Sequence, residues 1–416
     1  MLSVLINAYA CGPNYGSEPG MAWNWIVNLS KYCNIYVITE SEFRDSIEEA
    51  VANLPQKDNV HFYYNPVSDK IRRMCRNQGD WRFYYYYRKW QKSTYRIALQ
   101  IMDEYPIDII HQLNMICFRE PGYLWKIENI PYVWGPIGGI GQIPLNYIKN
   151  QGLQKKLFVI LKNTINKIQI KYSQRVKEAF QHATILIGST QKAVDTIEKY
   201  YPKKVILISE TGCYIKENSV LNTKVENSDF NIIWVGRFLF SKKLDLALDT
   251  ISKLKEINGL KFHIVGTGSE EEIIHYKQIA KQLGIQDLCI WHGLIPHSDV
   301  QKIMQTSDLL FFTSVAEGTP HVILEAIGNN LPVLCFNCCG QGDAVNDNVG
   351  DKIELTNPKQ SIQEFADKIE LFYRDRTILK EMSANCNVRQ RELSWENKAN
   401  QVVDLYKKIL RSDQIQ

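Results

Sequence analysis

Two glutamates eight residues apart, Glu317 and Glu325, bracket the stretch of this chain best suited to chemistry. Gly318-Thr319-Pro320 lies between them, and Val322, Ile323, Ala326 and Ile327 recur at helical spacing. Ahead of them, Asp308-Leu-Leu-Phe-Phe-Thr313 reads as a short buried strand. Thr319 suits an N-cap and Pro320 the first helical position, so the sequence predicts a helix starting there. A strand, a tight Glu317-Gly318 turn and a helix start leave backbone N–H groups at a positive dipole end, a setting that favours phosphate. Carboxylates beside such a site repel phosphate but accept hydrogen bonds from hydroxyls. Glu317 and Glu325 are therefore expected to hold sugar or ribose at one mouth. The plainer alternative is a capping acid and a solvated helix face.

A second cluster follows the strand-like run Asn231-Ile-Ile-Trp-Val-Gly-Arg237. Arg237 and Lys242 flank the turn into the next helix, where two cations would neutralise a leaving diphosphate. Phe262-His-Ile-Val-Gly-Thr-Gly268 is another strand meeting a glycine turn; Gly266 and Gly268 fit either nucleotide contact or tight packing. Near the N-terminus, Cys11–Gly20 joins a strand, Leu2–Ala8, to a helix stripe of Ala22, Trp25, Ile26 and Leu29. Its glycines let backbone approach a ligand, although no dinucleotide fingerprint is present. His111, in the strand Ile107–Asn114, is a candidate contact or acid/base group at a sheet edge, with a structural histidine as the alternative. His292, His297 and His321 lack metal-ligand spacing, and Cys335, Cys338 and Cys339 lack a second ligand pair, so no metal site is expected.

Together these motifs resemble family-four retaining glycosyltransferases, which have the GT-B fold. Glu317 to Glu325 is similar to that family's E-x7-E element. The resemblance implies that Glu317 contacts the donor sugar, Glu325 the nucleotide ribose, and the main chain of Gly318, Thr319 and Pro320 the diphosphate. Gly236, Arg237 and Lys242 match the family's glycine, arginine and lysine, while Lys243 stands where the family has a second glycine. Gly266 and Gly268 fall on the donor side, and Ile290–Pro296 matches the segment beside the base. Gly16-Ser-Glu-Pro-Gly20 is similar to a loop of one bacterial branch, implying a donor-side Gly16 and acceptor-side Ser17 and Glu18. Phe118–Gly122 and Trp134–Gly139 also look like motifs of that branch. The family often carries a catalytic histidine near His111, commonly as the second member of His-x-His; that second position is Leu113 here.

Strands alternating with helices in both halves predict an α/β protein of two doubly wound, Rossmann-like domains facing a cleft. Residues 1–205 would form an acceptor-side domain, with Thr184–Ile187 as the strand closing its sheet. Residues 206–229 would be a linker, and 230–394 the nucleotide-sugar domain. The helix in 395–416 would pack back on the first domain, with Trp395 as its marker.

At 416 residues, 45% hydrophobic and 23% charged, the chain has the composition of a soluble two-domain protein. No apolar run approaches the length of a membrane span, and the N-terminus lacks the basic region of a signal peptide. Ten cysteines scattered through apolar segments read as reduced thiols of a cytoplasmic protein. The net charge of +4 is modest, but Arg72–Arg76, Trp81–Trp90 and Lys155–Lys177 concentrate cations among aromatic or aliphatic residues. Such stretches fit an anionic membrane surface, hence a peripheral position on its inner face. The alternative is a core-facing helix with a solvated basic face. No nucleic-acid motif accompanies them.

The expected function is retaining transfer of a sugar from a nucleotide-diphosphate-sugar to an acceptor hydroxyl, on a lipid-linked glycan in bacterial surface polysaccharide assembly. The nucleotide sugar is a co-substrate, and no cofactor is expected. Rival readings are a GT-B epimerase, a phosphorylase, for which no pyridoxal-phosphate lysine site is identified, and a catalytically silent sugar-nucleotide binder or scaffold.

Overall fold

A computed structural model describes residues 1–77, 80–148, 152–215 and 229–413. The chain divides into two compact units. The first is Met1–Ile140 with Thr164–Thr211 and Trp395–Gln416; the second is Gly141–Asn163 with Gly212–Ser394. Gly141–Asn163 thus belongs to the second unit, although it falls inside the range 1–205 given to the first domain from the sequence. Residues 216–228 of the expected linker lie outside the described residues.

The first unit is built on seven strands: β1 Leu2–Ala8, β2 Cys33–Thr39, β3 Val60–Tyr64, β4 Ile109–Asn114, β5 Tyr132–Ile137, β6 Ile185–Gly188 and β7 Val205–Leu207. Their order is β3-β2-β1-β4-β5-β6-β7, and every pairing is parallel. The predicted closing strand at Thr184–Ile187 is corrected, since β7 pairs beyond β6. Three residues between polar turns are too short to show a period in sequence. Parallel strands need crossover helices on both faces, which is why these strands are apolar runs. Leu5 packs on one face with Trp134 and Phe180, while Val4 and Ile6 face the other. The helix Trp395–Asp413 covers that second face, its Trp395 ring edge-on to Trp25 at 5.7 Å between centroids.

Six strands form the second sheet: β8 Phe230–Val235, β9 Leu260–Val265, β10 Cys289–Gly293, β11 Leu309–Phe312, β12 Val333–Phe336 and β13 Gly350–Ile353. They run parallel in the order β10-β9-β8-β11-β12-β13. Phe230, Ile232 and Trp234 alternate with Ile233 between the two cores, as the strand period requires. Leu244, Ala247, Leu248 and Ile251 on the helix Leu244–Ser252 are fully buried against this sheet. Burying each larger aliphatic side chain is worth about 1.5–3 kcal/mol.

Two local expectations are corrected. The helix after β11 spans His321–Gly328 and has Pro320, not Thr319, at its N-cap. Pro320 is itself extended (φ −71°, ψ 121°), so the helix begins after it, and the Gly318 carbonyl in the turn accepts the Gly340 N–H at 2.9 Å. The glycine-bearing Cys338-Cys-Gly-Gln-Gly342 after β12 reads in sequence as a turn, but it contains the start of a short helix, Cys339–Ala344.

Candidate functional site

In an open parallel sheet, the loops at the carboxyl ends of the strands diverge where the winding reverses, and ligands bind there. In the second unit that point lies between β8 and β11. The loop after β8 carries Gly236, Arg237 and Lys242; the loop after β11 carries Thr313 to Pro320. The fold therefore brings together two motifs separated by roughly seventy residues of sequence.

Hydrogen bonds lock these loops to each other. The Trp234 indole N–H donates to Thr313 Oγ1 at 3.0 Å, and the Thr313 hydroxyl lies 2.8 Å from the Lys242 carbonyl. Val315 N–H donates to the Ser241 carbonyl at 2.9 Å. Gln341, fully buried after β12, donates its amide to the Ser314 carbonyl at 3.0 Å. On this frame Glu317 meets Lys242. The Lys242 ammonium is 2.5 Å from Glu317 Oε1, and the Ser314 hydroxyl donates to the same oxygen at 2.5 Å. Glu317 Oε2 takes no hydrogen bond among the described residues. One carboxylate oxygen is thus anchored while the other is available to a hydroxyl.

Arg237 is exposed, and its guanidinium has no partner among the described residues. It remains available to an anion. Lys243 adopts a left-handed backbone (φ 54°, ψ 47°) at the N-cap of the next helix. Glycine takes that conformation without strain, which gives a physical reason for a glycine at this position in similar sequences. Here Lys243 instead pairs with Asp245 at 2.6 Å. Glu325 lies in the second turn of its helix, with Oε1 3.2 Å from His297 Nε2. Glu317 therefore faces the β8 loop, whereas Glu325 faces the start of the helix His297–Thr306.

The glycines divide by their surroundings. A Cβ on Gly266 (φ 134°) would sit 1.9 Å from the Gly236 carbonyl oxygen, and one on Gly268 would sit 2.8 Å from Phe238 Cβ. Close packing of neighbouring loops already accounts for both. Gly236 is less tight, 3.1 Å from the Trp234 ring. Gly16 has open space around it, whereas a Cβ on Gly20 would lie 1.7 Å from the Tyr15 carbonyl oxygen. Gly20 is the glycine that its loop requires.

At the matching reversal of the first sheet, between β1 and β4, His111 is buried and Glu18, partly exposed as a residue, has one carboxylate oxygen shut off from water. Ser17 has a left-handed φ of 56° and opens the helix Ser17–Leu29. Glu18 follows, with Oε1 accepting the Ile116 N–H at 3.2 Å and Oε2 buried without a hydrogen bond among the described residues. Burial, with the nearby Glu210 carboxylate adding to it, pushes its pKa up to about 8. His111 has both ring nitrogens engaged: Nε2 is 2.7 Å from the Gly135 carbonyl and Nδ1 is 2.5 Å from the Tyr406 hydroxyl. A carbonyl only accepts, so Nε2 carries the proton and Tyr406 donates to Nδ1. Burial lowers the His111 pKa to about 4, which leaves the ring neutral near pH 7. That arrangement suits a core residue that orients its neighbours.

The surrounding motifs are also engaged in packing. Arg119 bonds Gln169 at 2.9 Å and also Asn166, while Glu120 is clamped by Arg88 and Arg175. Thr313, Ser314 and Gln341 were not among the residues singled out from the sequence. The visible signal was polar residues directly after an apolar strand, and no spacing rule points to Gln341. Among the described residues, no group of three or more His, Cys, Asp or Glu side chains is arranged to hold a metal.

Comparison with known proteins covers the two halves unequally. Residues 216–392 match the family model described as Glycosyl transferases group 1. The lipopolysaccharide 1,6-galactosyltransferase of Escherichia coli K12 is 30% identical over 138 residues, 32% of this chain and 37% of that protein. The curated relatives this chain matches are each spanned over less than half their length. Structural likeness is broader. An apo lipopolysaccharide outer core galactosyltransferase, WaaB, superposes with a TM-score of 0.62 at 15% identity, covering 97% of this chain and 99% of that one. Anabaena Alr3699/HepE in complex with UDP gives 0.60 at 14% identity, covering 98% and 100%. At such identities the likeness establishes the fold, which is GT-B.

Proposed function

We propose that this protein transfers a sugar from a nucleotide-diphosphate-sugar to an acceptor hydroxyl with retention of anomeric configuration. The acceptor would be a lipid-linked glycan of a bacterial surface polysaccharide, reached by a peripheral protein at the inner face of the membrane. The observation that carries the reading is the Glu317–Lys242 pair at the reversal of the second sheet, 2.5 Å apart, with Arg237 exposed on the same loop as Lys242. A carboxylate with one oxygen held, two cations and a helix start serve a ligand that joins hydroxyls to a diphosphate.

In this reading the bond between the anomeric carbon and the diphosphate oxygen breaks as the acceptor oxygen bonds to the same face. The departing diphosphate takes the acceptor proton. Arg237, Lys242 and the main chain of Gly318, Thr319 and Pro320 meet the charge growing on the leaving group. Glu317 Oε2 takes a hydroxyl of the sugar, and Glu325 takes the ribose. Gly236, Gly266 and Gly268 keep the loop walls thin, Gly16 lies on the donor's side, and Ser17 and Glu18 lie on the acceptor's side. His111 is given no proton-transfer step. Support comes from the glycosyltransferase family match over 216–392 and from the UDP-bound structure that shares the fold.

Incubation with a panel of nucleotide sugars, read by mass spectrometry as released nucleotide, tests the proposal. Donor-specific release that rises with acceptor supports transfer. Tight donor binding with no turnover across the panel would replace it with a silent binder.

A further inference from the structure

Two stretches of this chain set cations among apolar side chains, and the fold treats them in opposite ways. In the first, Arg72 pairs with Glu40, Arg76 with Glu42, Arg82 with Asp80 and Arg88 with Glu120. Phe83, Tyr87 and Trp90 are buried against Tyr9 and Met74. Folding pairs four of that stretch's cations with acids and buries three of its rings, while Trp81, Tyr84 and Tyr85 stay exposed.

The second is the helix Leu153–Tyr172. Val159, Asn166 and Ile170 are buried along one face. Leu153, Leu157, Leu161, Ile165, Ile168 and Tyr172 follow each other by three or four residues, and all are between 40% and 77% exposed. At about 100° per residue, this stripe points roughly opposite to the buried face. A surface helix of a globular protein turns its apolar stripe to the core and its charges to water. Here the outward side is apolar as well. The helix has five lysines and no acid: Lys155 and Lys162 along one border of the outer stripe, Lys156, Lys167 and Lys171 along the other.

We infer that this helix docks on an anionic lipid bilayer, lying in its plane with the Leu/Ile stripe at the acyl boundary and the lysines reaching lipid phosphates. Lysine stems are long enough to border an apolar stripe while their heads stay with the phosphates. No helix among the described residues is long and apolar enough to cross a membrane, which leaves an in-plane position. A second copy of the chain on this face would set two acid-free rows of lysine against each other. A nucleic acid would match the lysines but leave the aliphatic stripe in water. The inference stands on the helix alone and does not require the sugar-transfer reading.

Sedimentation of the full chain with vesicles of phosphatidylcholine, with and without phosphatidylglycerol, tests it. Wild type should co-sediment with the anionic vesicles at low salt and release in high salt. Lys167→Glu with Lys171→Glu should weaken that binding by roughly tenfold or more. Leu157→Glu with Leu161→Glu, at exposed positions that leave the core intact, should abolish it. Donor turnover on a soluble acceptor should be unchanged in both variants, so a failure of docking is separable from a failure of catalysis. Absence of wild-type binding to anionic vesicles, or wild-type binding by the leucine variant, overturns the inference. So does a wild-type dimer in analytical ultracentrifugation that the leucine variant makes monomeric.

Discussion

The two sheets reverse their winding at corresponding places, β1 beside β4 and β8 beside β11, yet the groups collected there differ in kind. At the second reversal the ionisable groups keep some exposure: Arg237 is exposed, and the Glu317–Lys242 pair, partly buried, retains a carboxylate oxygen with no hydrogen bond among the described residues. At the first they are desolvated, so Glu18 is pushed toward its protonated form and His111 toward its neutral one. Topology supplies a crevice at both places. What each crevice can bind depends on whether the charges in its loops are solvated.

Breaking that contrast begins with the charged site. Glu317→Ala, Lys242→Ala and Arg237→Ala should each lower transfer by about 10²–10³-fold, in line with removing a group that stabilises transition-state charge. Full activity in a variant with wild-type circular dichroism would strip that residue of its role. At the buried site the effect should fall on stability. His111→Phe strands the Tyr406 hydroxyl and the Gly135 carbonyl, at about 2–4 kcal/mol by thermal unfolding, while turnover per folded molecule holds. A folded His111→Phe protein without activity would make the first reversal catalytic after all.

Smaller effects sharpen the comparison. Glu325→Gln should raise the donor KM by about tenfold with little change in kcat, the signature of a lost ground-state contact. Glu18 sets a pH dependence of definite sign. Its folded pKa of about 8 lies above the ordinary 4.5, so between these values the folded chain holds a proton that the unfolded chain has released. Stability therefore falls as pH rises through that window, by at most about 1.4 kcal/mol per pH unit, and levels off above it. Glu18→Gln should flatten that part of the profile in melts across the window. An unchanged profile would mean that Glu18 is solvated. Lys243→Gly should move stability by less than about 1 kcal/mol in chemical denaturation, because relief of a left-handed backbone offsets loss of the Asp245 pair.

Much of the fold was legible. Ala22, Trp25, Ile26 and Leu29, like Leu244, Ala247, Leu248 and Ile251, are spaced as helix stripes and are buried as such. Short elements were not legible: β7 has three residues and β13 four, too few to carry a period. Helix starts depend on backbone conformation that residue types leave open. Thr319 looked like a cap, but Pro320 is itself extended, and the helix opens at His321. The basic stretches show the same limit, since Trp81–Trp90 and Lys155–Lys177 read alike until burial separates them.

Residue order alone was enough to announce alternating strands and helices, and to single out Glu317, Glu325, Arg237 and Lys242 as candidate site residues. Periodicity and spacing are local properties, and a chain carries them before it folds. Pairing Glu317 with Lys242, silencing His111 between Tyr406 and Gly135, and turning the stripe of Leu153–Tyr172 away from its core required the packed chain. Those outcomes depend on which groups lose water and which distant neighbours replace it, and desolvation is a property of the assembled fold.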